Sequence, residues 1–278
     1  MVKDVMVHLD GTDADEFRLA AAENLGNVFE AHIIGLFLNT RPIVAVPIED
    51  GYAAAQTYLE LEQRARKAGD QAEAILASKL ARLGRPAEIR RSDLFADQIA
   101  DVASREARSV DTFVALRPDS DGSSSTAEQL VEGVLFGSGR HVLLVSGPMP
   151  KSNFDRVLVA WNESREAARA TAEAMPFLRH AREVTLMVVD RGSLENVTAH
   201  PGANIVAHLR HHGVEAGLEY TDRVDGSVSS ALIREAQRRE ADLIVLGGYG
   251  HSRLREWILG GTTYDLLHKA PTPLLVAH

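Results

Sequence analysis

The sequence contains no cysteine, which excludes disulfide bonds, thiolate metal sites and cysteine nucleophiles. No apolar run approaches the length that spans a membrane, and the chain opens on a strand-like segment rather than a signal peptide. Basic residues are in the minority, with 30 lysines and arginines against 39 acidic residues and a net charge of −9. This balance argues against nucleic acid as a partner. We therefore expect a cytoplasmic protein that binds neither nucleic acid nor a membrane.

A repeat organises the 278 residues, 45% of which are hydrophobic. Residues 4–10 read as a strand that ends on an aspartate, and residues 156–162 repeat the pattern 152 positions later, ending on an asparagine. Ser164 then follows the second copy where Thr12 follows the first. Thr12 or Asp13 in the first copy, and Ser164 in the second, are predicted to cap the next helix.

Predicted strands and helices alternate along both copies. The strands are expected at 5–9, 33–38, 87–91, 112–116 and 141–145, then at 156–161, 184–189, 216–221, 243–246 and 274–277. This alternation favours the α/β class, with each copy a mostly parallel five-stranded sheet covered by helices on both faces. We predict two domains, at 1–147 and 153–278, with a linker at 146–153.

One loop carries the chemistry of the second copy. The buried strand 243–246 stops at a glycine cluster with the spacing Gly247, two residues, Gly250, nine residues, and the segment 260–263. That segment reads Gly-Gly-Thr-Thr and opens a helix, so it offers free backbone N–H groups, hydroxyls and a positive dipole end. The combination suits phosphate. A helix-capping glycine followed by an ordinary loop glycine is the alternative interpretation.

This spacing, followed by small and hydroxyl residues, resembles the nucleotide loop of the universal stress protein family. Through the repeat, the resemblance covers essentially the whole chain. It implies two tandem Rossmann-like domains of the adenine nucleotide alpha hydrolase-like type, related by a pseudo-twofold axis. It also implies ATP or AMP as the ligand, with or without Mg²⁺, and a regulatory role in the stress response. Two positions depart from the family pattern: Gly261 replaces a usual serine or asparagine, and Asn162 replaces a common aspartate.

The resemblance places nucleotide contacts at the ends of the first two strands of the second copy and along the glycine loop. The complete predicted set is Ala160, Trp161, Asn162, Val188, Leu246, Gly247, Tyr249, Gly250, Gly260, Gly261, Thr262 and Thr263. Val189 is an alternative to Val188 beside the base. Trp161 is either a base-stacking surface or a bulky residue at the edge of the core. No catalytic residue and no metal ligand is predicted.

The two copies differ where the ligand would lie. The first copy has Leu116 and Arg117 where the second has two glycines, and Glu128 lies where Gly260 would be. A carboxylate repels phosphate, and its Cβ prevents close approach of a ligand to the backbone. We therefore expect phosphate in the second copy alone.

Other polar groups allow a functional and a structural interpretation. A histidine cluster on a predicted helix could bind zinc, but a solvated helix face explains it more simply: His208, His211 and His212. An acidic cluster could bind a divalent cation, but helix capping explains it more simply: Asp10, Asp13, Asp15 and Glu16. His251 could act as a general acid or be an ordinary loop residue. Arg253 and Arg255 either neutralise phosphate or are solvated.

The function favoured by the resemblance is a regulator whose adenine nucleotide controls binding to an unidentified protein partner. One alternative is a nucleotide-free interaction protein of the same fold. Another is an enzyme, at most a slow ATP hydrolase, since the fold class also resembles adenine-nucleotide hydrolases and electron-transfer flavoproteins. The closing strands, 141–145 and 274–277, are candidates for pairing the copies as an internal pseudo-dimer. Further homodimerisation stays open.

Overall fold

The computed structural model describes residues 1–43, 51–118, 125–147, 153–190, 200–248 and 261–278. Within these ranges ten strands alternate with nine α-helices. The strands are β1 (Asp4–Leu9), β2 (His32–Thr40), β3 (Ala87–Leu94), β4 (Thr112–Leu116), β5 (Val142–Val145), β6 (Arg156–Ala160), β7 (Glu183–Val189), β8 (Ala216–Thr221), β9 (Leu243–Gly247) and β10 (Leu274–Ala277). The helices are α1 (Asp15–Phe29), α2 (Gly51–Leu80), α3 (Ile99–Ala107), α4 (Ser125–Gly137), α5 (Arg165–Glu173), α6 (Met175–His180), α7 (Ala203–His211), α8 (Val228–Arg238) and α9 (Gly261–Lys269).

The position of each strand in the sheet explains its residue pattern. Every residue of β5 and β10 is buried, and both strands are unbroken apolar runs. The outermost strands, β3 and β8, mix charged and apolar residues and are only partly buried. Strands covered by helices on both faces need apolar side chains at every position, whereas strands at the edge of a sheet do not.

All ten strands form one sheet, in the order β3-β2-β1-β4-β5-β10-β9-β6-β7-β8. Pairing is parallel within each half and antiparallel between β5 and β10, where Leu143 lies opposite Leu275. The predicted fold class and the predicted pairing of the closing strands are therefore confirmed. Because the halves run in opposite directions, the carboxyl edge of the first half lies on the same side of the sheet as the amino edge of the second.

Helices cover both faces of the sheet, and each face has a core that draws on both halves. One core contains residues of α1, α2, α5, α6 and α7, and the other contains residues of α3, α4, α8 and α9. In the first core, Phe177 lies edge-to-face with Phe29 of the first half, with ring centroids 5.1 Å apart. The apolar burial that stabilises each half thus continues across the boundary between them.

A buried polar group also joins the halves. His141 is 2% exposed, and its ring nitrogens lie 3.1 Å from the Thr112 hydroxyl and 3.1 Å from the Glu173 carboxylate. Glu173 pairs in turn with Arg169, which donates to the carbonyl of Gly139 at 2.6 Å. Glu173 and Arg169 belong to α5, so these bonds cross from one half to the other.

The starts of the two equivalent helices differ. Ser164 caps α5 as predicted and accepts a hydrogen bond from the Ala167 amide at 3.1 Å. The corresponding prediction for α1 is wrong, because Ala14 precedes that helix without a side-chain cap. The Thr12 hydroxyl instead donates to Asp10 at 2.6 Å.

Two further expectations concern the chain as a whole. In the part of the chain that the structure describes, no helix combines the length and the apolar character needed to cross a bilayer. The domain boundaries at 1–147 and 153–278 stay a prediction, and most of the proposed linker, 148–152, lies outside the described residues.

Candidate functional site

The candidate site lies at the carboxyl edge of the second half, where the neighbouring parallel strands β6 and β9 end. Asn162 follows β6, is exposed, and accepts a hydrogen bond from the Ser164 amide at 3.2 Å through its side-chain oxygen. This bond orders the turn that leads into α5. The turn therefore holds an amide side chain at the position where the strand order of the half reverses, which is the usual ligand position in open α/β sheets.

Two glycines at the end of β9 allow close packing of the protein on itself. A Cβ at Gly247 would lie 2.5 Å from the Ala167 nitrogen and from the Glu166 carbonyl carbon. A Cβ at Gly248 would lie 2.7 Å from a methyl group of Val276. The first glycine brings the start of α5 against the strand, and the second fits beside β10. Protein atoms, rather than open space, lie on the Cβ side of both residues.

The start of α9 differs from these two glycines in its surroundings. Gly261 is exposed, and a Cβ there would meet no atom of the residues that the structure describes within 4 Å. Thr262 is half-buried, and Thr263 is buried at 8% exposure. The first backbone N–H groups of a helix have no partner within the helix and lie at the positive end of its dipole. Gly261 and Thr262 thus lie at a surface that can accept an anion.

The carboxyl edge of the first half is occupied by an ion cluster. Arg18 of α1 is 1% exposed, and its guanidinium lies 2.6 Å from Asp10 and 2.5 Å from Asp15. The same guanidinium donates to Nδ1 of His8 at 3.0 Å, so that nitrogen must be the acceptor. Asp15 also accepts hydrogen bonds from the Asp10 and Gly11 amides. These bonds tie the loop after β1 to the start of α1.

This cluster shifts the pKa values of its members in ways that follow from burial and from the charge of Arg18. Burial, reinforced by Arg18, lowers the pKa of His8 to about 3, so the ring is neutral. Burial alone would raise the pKa of Asp10, but bonds from Arg18 and Thr12 lower it well below its usual range. Burial raises the pKa of Asp15.

The helix that corresponds to α9 in the first half is α4, and it begins earlier relative to the repeat. Gly133 of α4 fits closely against Ala100 of α3, and the equivalent Asp265 of α9 accepts a hydrogen bond from Ser229 of α8 at 3.0 Å. On this alignment α4 already begins four residues before Gln129, the counterpart of Gly261. An extra helical turn thus lies in the first half at the level where α9 starts in the second.

Two carboxylates, Glu128 and Glu132, also lie one turn apart near the start of α4. Burial, with the neighbouring charge of Glu128, raises the pKa of Glu132. A phosphate brought to this part of the first half would meet carboxylates and a continuous helix, which oppose binding by charge and by shape.

The second half of the chain is similar to a known protein family. The sequence profile of the universal stress protein family matches residues 153–278. This match identifies a universal stress protein domain in the second half of the chain. A universal stress protein from Synechocystis sp. is 36% identical over 50 residues. That match covers 18% of this chain and 17% of the relative, so the chain spans only a small part of that protein in the alignment.

Solved structures extend the likeness in fold to the whole chain. A universal stress protein from Archaeoglobus fulgidus has a TM-score of 0.70 and 19% identity, over 99% of this chain and 97% of that one. A protein of unknown function from Pseudomonas aeruginosa has a TM-score of 0.61 and 14% identity, over 99% of this chain and 92% of that one. At these identities the likeness concerns the fold, which both halves share with the universal stress protein.

Nine of the twelve residues predicted for the site of the universal stress protein domain lie in the described ranges. Tyr249, Gly250 and Gly260 lie outside them. Ala160, Asn162 and Gly247 lie at the ends of the paired strands β6 and β9, whereas Leu246 is buried at 3% exposure. The remaining residues of the loop begin α9, as described above.

Two residues predicted to contact the base, Val188 and Trp161, are wholly or partly buried in the protein. Val188 is fully buried in the core, whereas its alternative, Val189, is half-buried at the end of β7. Trp161 is half-buried and packs against the core, which favours the core-edge interpretation. Its buried indole N–H has no hydrogen-bond partner among the described residues, so a polar donor is available beside the strand end.

The other polar groups of the sequence do not assemble a metal site in the part that the structure describes. The ring centroids of His208 and His212 lie 4.6 Å apart, with the ring planes inclined at 60°. In the predicted acidic cluster, Asp10 and Asp15 form ion pairs with the guanidinium of Arg18. His251, Arg253 and Arg255 lie outside the described residues.

Sequence reasoning missed Arg18 as the residue that closes the first-half edge. The repeat contained the signal, because the 152-residue offset that aligns Asp10 with Asn162 also aligns Arg18 with Ala170. An arginine in one copy and an alanine in the other, at a buried helix position, indicate that the two edges differ in charge and in free space.

Proposed function

We propose that this protein regulates a stress response by binding one ATP or AMP, with or without Mg²⁺, in its universal stress protein domain. The observation that carries the proposal is the exposed start of α9 at Gly261, where no atom of the described part of the chain lies within 4 Å of the Cβ position. The first N–H groups of a helix lack partners within the helix, and together with the positive end of the dipole they suit a phosphate group. The base and ribose would lie towards Ala160, Asn162 and Val189, with the loop glycines around the phosphates. Occupancy would then alter the surface offered to a protein partner.

The first half would bind no phosphate in the same manner. Arg18 is already neutralised by Asp10 and Asp15. In addition, α4 begins one helical turn earlier than α9, whose start at Gly261 and Thr262 we call the phosphate cradle. We therefore expect a stoichiometry of one nucleotide per chain. ATP hydrolysis would be slow at most, because the described site residues include no general base beside the start of α9.

Isothermal titration of ATP and of AMP, each with and without Mg²⁺, tests the proposal. The critical variant is Gly261→Glu, because the exposed position has room for a side chain and the added carboxylate would repel phosphate. We expect the ATP affinity to fall by at least about tenfold, the equivalent of about 1.4 kcal/mol. Gln129→Glu is the matched control, since it adds the same charge at the exposed counterpart in the first half. Equal affinity of wild type and Gly261→Glu would refute the proposed site.

A nucleotide-free interaction protein is the second candidate. It is favoured by the packing of Gly247 and Gly248, whose Cβ sides face protein atoms rather than open space, and by asparagine in place of aspartate at residue 162. Mass spectrometry of small molecules released from the purified protein separates the candidates. Adenine nucleotide in the released fraction supports the first candidate, and no nucleotide together with no heat of titration supports the second.

A further inference from the structure

Arg117 occupies the position of a glycine of the nucleotide loop, but in the other half. It follows β4 directly, and its backbone N–H donates to the Val145 carbonyl at 2.8 Å. In the second half the Gly248 N–H makes the same bond to the Ala277 carbonyl, also at 2.8 Å. The two residues are therefore structural counterparts, and a long cationic side chain stands where the ligand-binding half has none.

The side chain of Arg117 leaves its own half. Its Nη1 donates to the carbonyl of Ala270 and, at 3.4 Å, to the carbonyl of Leu266. These carbonyls belong to the end of α9, the helix whose start is the proposed phosphate cradle. The contact is possible because the antiparallel pairing of β5 with β10 places the end of α9 beside the carboxyl edge of the first half.

The charge of Arg117 makes this contact specific. The guanidinium is half-buried, and burial lowers its pKa, although an arginine remains protonated. Among the residues that the structure describes, no carboxylate forms an ion pair with it, so its charge is compensated by the carbonyl end of α9 and the negative end of the helix dipole. A shift of that helix end would leave a half-buried cation without its partners, which is costly.

Arg117 thereby complements the other attachment of α9. In the middle of the helix, Asp265 accepts a hydrogen bond from Ser229 of α8 at 3.0 Å. The helix has nine residues and a length of about 14 Å, so it moves largely as one rigid body. Fixing its middle and its end also fixes where its first N–H groups lie.

We propose that Arg117 is a positioning residue for the nucleotide site of the second half: it holds the end of α9 so that the helix start faces the phosphates. The inference rests on the proposed function. It assigns the first half a role in the site that it does not itself form. In the first half, the residue that corresponds to Gly248 thus helps to position α9 of the second half.

The experiment compares Arg117→Met with Arg108→Met in the full chain. Arg108 is the matched control, because its Nε donates at 3.2 Å to the Gly137 carbonyl at the end of α4, the equivalent helix of the first half. We expect Arg117→Met to weaken ATP binding by about three- to tenfold in isothermal titration. Arg108→Met should bind ATP like wild type. Arg117→Lys retains the charge and should recover part of the affinity.

Hydrogen exchange without nucleotide provides a second readout. We expect the backbone amides of α9 to exchange faster in Arg117→Met than in wild type, and those of α4 to be unaffected. Unchanged ATP affinity in Arg117→Met, while wild type binds, would overturn this inference and leave the proposed function standing. Equal weakening in both methionine variants would overturn it too, because the effect would then be one of general stability. Absence of ATP binding to wild type would refute the proposed function itself, and this inference with it.

Discussion

The Nη2 atom of Arg18 lies 2.5 Å from the Oδ1 atom of Asp15, and neither side chain is more than 2% exposed. The pair stands where the other half has Ala170 and Ala167. A buried ion pair contributes little when intact, but it makes the removal of one partner expensive. The first half thus has an internal ion pair at the edge where the second half has two alanines.

Loss of Arg18 should be strongly destabilising. We expect Arg18→Met to lower the free energy of unfolding by about 3–5 kcal/mol, because Asp15 would remain buried without its partner. Urea denaturation at pH 7 measures the change. Arg64→Met is the control, since its ion pair with Glu60 is 76% and 67% exposed and should contribute less than about 1 kcal/mol. Similar losses in the two variants would contradict the structural role of the cluster.

Stability should fall below neutral pH in a way that depends on His8. The pKa of His8 is lowered from 6.5 to about 3 in the folded protein, mainly by burial. Between these values the unfolded chain binds a proton that the folded chain does not, so this contribution is complete above pH 6.5 and declines towards pH 3. The slope for one such group is at most about 1.4 kcal/mol per pH unit.

Urea midpoints at pH 7 and pH 5 test this dependence. His8→Asn offers Arg18 an uncharged acceptor, and we expect its stability to change less between the two pH values than that of wild type. His211→Asn, at an exposed helix position, should retain the wild-type dependence. If the urea midpoint of His8→Asn changed as much between pH 7 and pH 5 as that of wild type, a group other than His8 would cause the pH dependence.

The two kinds of glycine at the candidate site should respond differently to alanine. Gly247→Ala places a methyl group 2.5 Å from the backbone of α5, so we expect a loss of about 1–3 kcal/mol in stability. Gly261→Ala adds a methyl group that meets no described residue at a helix start, and we expect stability to be unchanged or to rise by up to about 1 kcal/mol. Thermal unfolding of both variants without ligand measures the difference. A neutral Gly247→Ala would show that α5 is not packed as described.

The polar junction between the halves should depend on Glu173. Glu173→Leu removes the carboxylate that faces both His141 and Arg169, and it leaves one side of a buried imidazole unpaired. We expect a loss of about 1–3 kcal/mol in urea denaturation. Glu215→Leu should cost far less, because its pair with Arg210 is 78% and 62% exposed. A smaller loss in Glu173→Leu than in Glu215→Leu would argue against the junction.

Much of the architecture could be predicted because it is encoded locally. Buried strands such as 243–246 are continuous apolar runs, and helices such as α2 show a charged and an apolar face. All ten predicted strands are present. The start of α1 was predicted wrongly because Thr12 and Asp13 are residue types that commonly cap helices. In the structure, the Thr12 hydroxyl donates to Asp10, a member of the Arg18 cluster, and Ala14 precedes the helix.

The candidate site was accessible to sequence reasoning only in part. The helix start at Gly261 followed from a local pattern of glycines and hydroxyls. The role of Gly247 did not, because a glycine is equally compatible with a ligand and with a neighbouring helix until the position of α5 is known. Val188 and Val189 illustrate the same limit, since they pack on the two opposite faces of the sheet and only the structure shows that Val189, at the strand end, stays half-buried.

By itself, the sequence determined the alternation of strands and helices, their duplication, and a helix start with glycines and hydroxyls in one copy, because each depends on residues that are neighbours along the chain. Only the tertiary structure decided that the copies share one sheet through β5 and β10, and that Arg117 reaches the end of a helix about 150 residues away. Such contacts depend on how the elements pack. A side chain's partner is then set by three-dimensional proximity and by the need to compensate buried charge, which local patterns do not encode.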